Sequence, residues 1–144
     1  MRLLRPLTLI SLCVLLACSR HSVKDLPAQT YQGFEIKVLS IESKGSDWTD
    51  SNNQRFRARL VGGEIVAVEV SFRALSKDGG DLLSIDRLEL EDNAGNRYPS
   101  LLTEIRLVRE AHLSKSIPWQ LPFEAPKGAE LKTLRVNDLT FALR

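Results

Sequence analysis

Three arginines spaced two residues apart, Arg55, Arg57 and Arg59, form the sequence pattern with the clearest potential for binding chemistry. Because side chains alternate between the two faces of a strand, this spacing predicts one row of guanidinium groups, with neighbours about 6.6–7 Å apart. Guanidinium groups bind phosphates and carboxylates through paired hydrogen bonds. This arginine stripe therefore predicts a surface for an anionic partner. The alternative is a solvated outer face, paired with the acidic stretch 86–92.

Trp48 is a second candidate for binding. It lies between Asp47 and Thr49 in the polar, turn-rich segment 43–54, which the composition predicts to be a loop. An aromatic side chain on a loop anchors a partner in many interfaces. Such a side chain also commonly folds back over the end of a hydrophobic core. Trp48 is therefore either a binding anchor or a packing residue.

Catalytic chemistry is not indicated. The chain has two histidines, His21 and His112. A Ser–His–Asp arrangement would have to use His112, and the sequence contains no nucleophile elbow. We therefore interpret His112 as an exposed polar residue and expect a protein that is not an enzyme, with no catalytic residues.

Metal, cofactor and nucleic-acid sites are likewise not expected. The turn sequences 78–81 and 91–96 resemble calcium loops in composition but lack alternating oxygen ligands and a terminal glutamate, so hairpin turns explain them better. No glycine-rich phosphate loop precedes a helical segment. The net charge is only +2, which gives no strong field for nucleic acid.

The elements that position these residues follow a period of two. In the strongest strand pattern, 64–75, Val66, Val68, Val70 and Phe72 share one face. Further strand patterns cover 33–42, 55–60, 84–92, 97–102, 117–126, 131–136 and 139–144. The segment 103–116 is ambiguous and is interpreted as an irregular strand or loop with a possible helical turn.

Short strands at this spacing predict an all-β fold, specifically an immunoglobulin-like antiparallel β-sandwich of about seven strands, in one domain spanning 33–144. Alternation implies a shared core between two sheets. The predicted core residues are Phe34, Ile36, Val66, Val68, Val70, Phe72, Leu88, Leu90, Trp119, Leu121, Phe123, Leu134, Val136 and Phe141.

The N-terminus has a different organisation. Arg2 and Arg5 precede an apolar run over 7–16. A membrane-spanning helix needs about 20 apolar residues, so this run is too short. A basic start, a short apolar middle and a small residue at the end are the layout of a secretory signal peptide, here residues 1–17.

The residues Leu15-Leu16-Ala17-Cys18 resemble the lipobox of bacterial lipoproteins. The resemblance implies that the Cys18 thiol receives a diacylglyceryl group, that the signal is cut before it, and that the new amine is acylated. Ser19 then favours the outer membrane, on its periplasmic face, and a single-membrane bacterium would give the plasma membrane. Otherwise Cys18 is a buried cysteine or a disulfide partner of Cys13.

A flexible tether is predicted between Cys18 and the domain, over residues 18–32. This segment shows no sustained apolar period and contains Pro27. Fully extended, it would reach roughly 46–50 Å, so the domain would stand away from the membrane.

A second resemblance covers about 33–144. Leu90, Asp92, Gly95 and Tyr98, followed by a turn over 123–126, resemble a hairpin of the telokin-like, immunoglobulin-like domain of unknown function found in bacterial lipoproteins. The family implies no reaction and no catalytic residues.

Taken together, these patterns predict a non-enzymatic, lipid-anchored binding module of the cell envelope. Its partners would be the membrane, through acyl chains on Cys18, and an envelope protein or anionic component such as lipid A phosphates or peptidoglycan carboxylates. The alternative is a small-ligand or ion-binding lipoprotein, with its site at loops 43–54 or 76–82.

Overall fold

The computed structural model describes residue 23 and residues 26–143, and it confirms an all-β fold. Its elements are β1 (Gln29–Tyr31), β2 (Phe34–Ser43), β3 (Asp47–Thr49), β4 (Arg55–Arg57), β5 (Gly63–Ala74), β6 (Leu82–Ile85), β7 (Leu88–Asp92), β8 (Arg97–Pro99), β9 (Ile105–Val108), a 3₁₀ turn (Glu110–His112), β10 (Ile117–Pro126), β11 (Leu131–Val136) and β12 (Leu139–Ala142). No helix in these ranges is long and apolar enough to cross a bilayer.

Two four-stranded antiparallel sheets form the body of the domain. The first, sheet 1, has the order β1-β2-β5-β10, and the second, sheet 2, has the order β12-β11-β7-β8. Strand β5 is central in sheet 1, where Val70 is opposite both Val38 of β2 and Trp119 of β10. In sheet 2, Leu134 of β11 lies between Leu90 and Phe141.

Apolar residues from both sheets form one hydrophobic core. Every predicted core residue is buried except Trp119, which is half-buried and packs against the core. The alternation in β5 explains the arrangement, since Val66, Val68, Val70 and Phe72 all point inward from one face of that strand.

The described residues contain twelve strands rather than about seven, and four of the twelve form two separate two-stranded sheets. One is a hairpin that pairs β4 with β3, and β3 lies within the segment 43–54 that the sequence predicts to be a loop. The other pairs β6 with β9, which places a strand inside the ambiguous segment 103–116. Leu83 lies opposite Leu107 and Ile85 opposite Ile105, and all four are buried in the core.

The ordered domain begins before the predicted boundary at residue 33. Residues 29–31 form edge strand β1, and Val23 is 3% exposed and belongs to the hydrophobic core. The segment 23–32 is therefore part of the folded domain where the structure describes it, not a free tether. The predicted signal peptide, Cys18 and His21 lie outside the described residues.

Strand β10 forms one edge of sheet 1 and carries three prolines, Pro118, Pro122 and Pro126. All three lie at alternate positions of β10, so their main-chain polar groups face the same side of the strand. The Pro122 carbonyl accepts a hydrogen bond from the Leu101 N–H at 2.9 Å, which shows that this side faces away from β5. The prolines therefore remove N–H donors from the outer edge without weakening the pairing inside the sheet.

Candidate functional site

The β3–β4 hairpin lies against β5 on the outer face of sheet 1. In β4, Phe56 is buried while its neighbours Arg55 and Arg57 are exposed, as alternation requires. Ile65 and Ala67 of β5 are buried outside the main core, on the face opposite Val66. The hairpin thus covers the outer face of β5 at this end and directs its arginines to solvent.

Trp48 lies in strand β3 rather than in a loop, opposite Phe56. The two rings stack with 5.8 Å between centroids and an interplanar angle of 25°. The Lys44 ammonium is 5.7 Å from the centre of the Trp48 ring, within the range of a cation–π contact. The half-buried indole therefore packs onto the hairpin and does not project freely as an anchor.

Two arginines of the stripe share Asp47 as their partner. The Arg55 Nε donates to Asp47 Oδ1 at 2.8 Å, and Arg57 Nε lies 3.3 Å from Oδ2. The hydrogen bond from Arg55 lowers the pKa of Asp47 and raises that of Arg55. The acidic stretch 86–92 is not their partner, because the hairpin supplies its own carboxylate.

Arg59 differs from the other two arginines because β4 ends at Arg57. Strand β4 therefore contains only two of the three arginines that the sequence predicts to lie on it. The Arg59 and Leu60 N–H groups both donate to Glu124 Oε1, each at 2.6 Å. Among the described residues the exposed Arg59 guanidinium has no hydrogen-bond or ion-pair partner.

Glu124 thus fixes a loop that we call the tip loop, residues 59–62. Backbone bonds complete it: the Gly63 N–H donates to the Leu60 carbonyl, and the Lys127 N–H to the Gly62 carbonyl, both at 2.9 Å. Leu60 is 55% exposed and Val61 fully exposed. The tip loop is therefore held in one conformation, and it presents two apolar side chains beside a guanidinium that has no partner among the described residues.

Glu124 was missed by sequence reasoning. Its carboxylate accepts two main-chain donors more than 60 residues away in the chain. A contact of this kind leaves no spacing pattern, so only the structure identifies it.

A second cluster surrounds Arg109, which is 3% exposed. Its guanidinium donates to the carbonyls of Gly80 at 2.7 Å, Gln32 at 2.8 Å and Gly79 at 3.2 Å. Beside it is a cavity of about 180 Å³ lined by Lys77, Asp81, Arg109, Glu110 and Leu113. Loop 76–82 therefore does border a cavity, but the cavity is below the usual ligand-site range of about 300–1,000 Å³.

His112 is buried at 5% exposure, so its prediction as an exposed residue is wrong. Its Nδ1 lies 2.8 Å from the Val108 carbonyl, and its ring meets Phe34 edge-on at 5.9 Å. The Nε2 atom is buried and has no hydrogen-bond partner in the part of the chain that the structure describes. The 3₁₀ turn that carries His112 lies in the segment 103–116, where the sequence allows a helical turn. Its packing against β5 was not predictable from the apolar spacing of that segment.

The hairpin turn between β7 and β8 is organised by Asp92. Its Oδ1 accepts the N–H groups of Ala94 and Asn96, and its Oδ2 accepts the Tyr98 hydroxyl at 2.6 Å. These bonds, led by that from Tyr98, lower the pKa of Asp92 to about 2. Burial, together with the Asp92 carboxylate, raises the pKa of Tyr98 to about 12.

No cluster of three or more histidine, cysteine, aspartate or glutamate side chains suited to a metal occurs in the part of the chain that the structure describes.

Comparison with known proteins gives a likeness in fold. No protein-family model matches the chain, and no curated protein matches it. The crystal structure of a conserved hypothetical protein from Bacillus anthracis is similar, with a TM-score of 0.51 and 10% sequence identity. The match covers 82% of this chain and 92% of that one. At this identity the likeness extends to the fold alone.

Proposed function

We propose that this chain is a lipid-anchored, non-enzymatic binding module of the bacterial cell envelope. The single observation that carries the binding role is the held tip loop, with its exposed apolar pair beside the unpaired Arg59 guanidinium. Packing accounts for Trp48 and Phe56, but it does not account for an ordered loop that exposes Leu60 and Val61.

The anchor is supported by the lipobox ending at Cys18. With two or more acyl chains the attachment is stable, whereas one chain gives only marginal binding. Ser19 favours the periplasmic face of the outer membrane, and the plasma membrane is the location in a single-membrane bacterium. The anchor is tested by incorporation of labelled palmitate into the wild type and into Cys18→Ser. Equal labelling of the two proteins excludes it.

The fold behind this proposal is an immunoglobulin-like sandwich related to the telokin-like envelope domain. Two four-stranded antiparallel sheets with one shared core support it. Asp92 and Tyr98 belong to the hairpin that resembles the one in that domain. The hydrogen bond between them connects the turn to the strand that follows it.

The partner is expected to be an envelope protein or an anionic envelope component, since guanidinium groups favour phosphates and carboxylates. The test places a photo-crosslinking residue at position 59 in intact cells, with position 106 as control. Arg106 is exposed on β9, well away in the chain, and is paired with Glu104. A species crosslinked from 59 and absent from 106 supports the proposal, and identical products from the two positions oppose it.

A second candidate function is binding of a small ligand in the cavity beside Arg109. The observation in its favour is that Lys77 and Asp81, from loop 76–82, line that cavity with Glu110. A ligand that binds only the folded protein raises its melting temperature, and the rise grows with the logarithm of the ligand concentration above Kd. A screen of small carboxylates and phosphates against the wild type and Lys77→Ala tests it. A rise in melting temperature in the wild type alone favours this function.

A further inference from the structure

The direction of β1 shows where the N-terminal chain leads. β1 runs antiparallel to β2, with Gln29 opposite Ile36 and Tyr31 opposite Phe34. Followed backward, the chain therefore leaves Gln29 in the direction of β2, from Ile36 toward Ser43. A turn in which the Leu26 N–H donates to the Val23 carbonyl at 3.1 Å then brings Val23 into the core. The end of sheet 1 that contains Ser43 is also where β5 starts and β10 stops. It is the end that carries the tip loop.

The length of chain before the domain limits how far the domain can stand from an anchored Cys18. Val23 is fixed in the hydrophobic core, so only five residue steps separate it from Cys18. Five extended residues span about 17 Å, against the roughly 46–50 Å expected for a tether over 18–32. A domain anchored at Cys18 is consequently held against the bilayer surface.

The chemistry of the tip loop suits such a surface. Val61 and Leu60 are apolar and exposed, and Val61 projects fully from the loop. Arg59 and the exposed Lys127 flank them, and the Lys127 N–H is bonded to the loop itself. Apolar side chains enter the interfacial zone of a membrane while cationic groups remain at the level of anionic headgroups.

The carboxylate beside the loop binds its main chain, and within the described residues it forms no ion pair with the Arg59 or Lys127 side chain. Glu124 is committed to the two amide donors of Arg59 and Leu60, which hold the loop. The loop is therefore preorganised, and contact with a bilayer does not require the loop to be ordered at the time of binding.

From these observations we propose that the tip loop is a membrane-contact element, which inserts Leu60 and Val61 into the interface of an anionic bilayer. The inference rests on the proposed lipid anchor at Cys18, and it makes the anionic partner of the module the bilayer itself. An exposed apolar pair flanked by cations, on a domain held within reach of the membrane, favours this occupant over a pocket on another protein.

The test uses the processed, acylated lipoprotein, in which Val61→Cys provides a free thiol for an environment-sensitive fluorophore. The matched control is Leu82→Cys, because Leu82 is 55% exposed like Leu60 but lies on β6. Both proteins are reconstituted into vesicles of phosphatidylglycerol and phosphatidylethanolamine containing a brominated lipid. We expect a blue shift and loss of fluorescence by quenching at position 61 and neither effect at 82.

Further arms separate the possible outcomes. Reversing the charges with Arg59→Glu and Lys127→Glu, or using phosphatidylcholine vesicles, is expected to abolish the quenching while the protein stays anchored. Acylated protein that shows no quenching at 61, or a label at 61 that is shielded only by a co-purifying protein, overturns the membrane tip and leaves the anchor intact. Mass spectrometry that finds no acyl chain on Cys18 overturns the anchor and the tip together.

Discussion

The guanidinium of Arg109 lies over the ring of Phe34, with 4.7 Å between Cζ and the ring centroid. The same guanidinium donates to main-chain carbonyls of Gln32, Gly79 and Gly80. One side chain at the end of β9 therefore ties the β1–β2 turn and the loop after β5 to the ring that closes this end of the core.

Removal of Arg109 is expected to be severely destabilising. Arg109→Met removes a buried guanidinium and the donor shared by the main-chain carbonyls of Gln32, Ser76, Gly79 and Gly80, and we expect a loss of about 2–4 kcal/mol in the free energy of unfolding. Urea denaturation measures it. Arg106→Met, on the strand that precedes Arg109, is the control, and because Arg106 is exposed we expect a change within about 0.5 kcal/mol. Equal losses from both variants contradict the assigned role.

Gly33 is expected to be sensitive because of Arg109. Gly33 and Gly45 have φ values of 76° and 77°, so alanine at either position costs about 1–2 kcal/mol. A Cβ at Gly33 would lie 2.9 Å from Arg109 Nη1, whereas one at Gly45 would meet nothing within 4 Å. Gly33→Ala should therefore lose about 1–3 kcal/mol more than Gly45→Ala in urea denaturation. An equal loss of stability in the two variants argues against close contact between Gly33 and the Arg109 guanidinium.

The Asp92–Tyr98 bond predicts loss of stability in acid. Because the pKa of Asp92 is lowered from 3.8 to about 2, its contribution to stability is complete above about pH 4 and is lost as the pH falls toward 2. Asp92→Asn should abolish this part of the pH dependence. Tyr98→Phe, which removes the 2.6 Å hydrogen bond, should lower Tm by about 3–6 °C and move the acid transition upward in pH.

Thermal unfolding followed by circular dichroism between pH 2 and pH 7 measures both effects. Glu104→Gln serves as a comparison, because the pKa of Glu104 is also lowered, chiefly by a hydrogen bond from Ser84 on β6 of the separate β6–β9 sheet. An acid transition that remains unchanged in Asp92→Asn is incompatible with the assignment.

Trp48 fluorescence reports on the β3–β4 hairpin. In a Trp119→Phe protein, the half-buried Trp48 indole stacked on Phe56 should emit between the buried and the exposed extremes and be partly protected from acrylamide. Phe56→Ala should shift this emission to longer wavelength and cost about 3 kcal/mol, because Phe56 is buried. A fully exposed spectrum in the parent Trp119→Phe protein is the result that contradicts the packing.

The long strands were predictable because they alternate apolar and polar residues over many positions. Strand β5 is the clearest example, since its inward face from Val66 to Phe72 is apolar throughout. The short strands were not, because three or four residues carry no reliable period. In β3 the only large apolar residue is Trp48, and it becomes half-buried only when Phe56 is opposite.

Some site residues could also be predicted from their spacing, whereas others depend on contacts between distant parts of the chain. Spacing located the exposed Arg55 and Arg57, but it could not show that Asp47 neutralises them or that β4 ends before Arg59. Arg109 had no signal at all, since its partners are main-chain carbonyls from separate turns. The burial of Val23 depends on a core assembled from distant strands, so the apparent tether could not be distinguished from folded chain.

The prolines of β10 have a consequence for behaviour at high density. Proteins confined to a surface meet one another often, and an open strand edge is a template for sheet-to-sheet fusion. Pro118 and Pro126 remove two donors from that edge, and Ser100 and Leu101 occupy the part near Pro122. Pairing of β10 with a strand of a neighbouring molecule is therefore disfavoured, even where molecules are crowded.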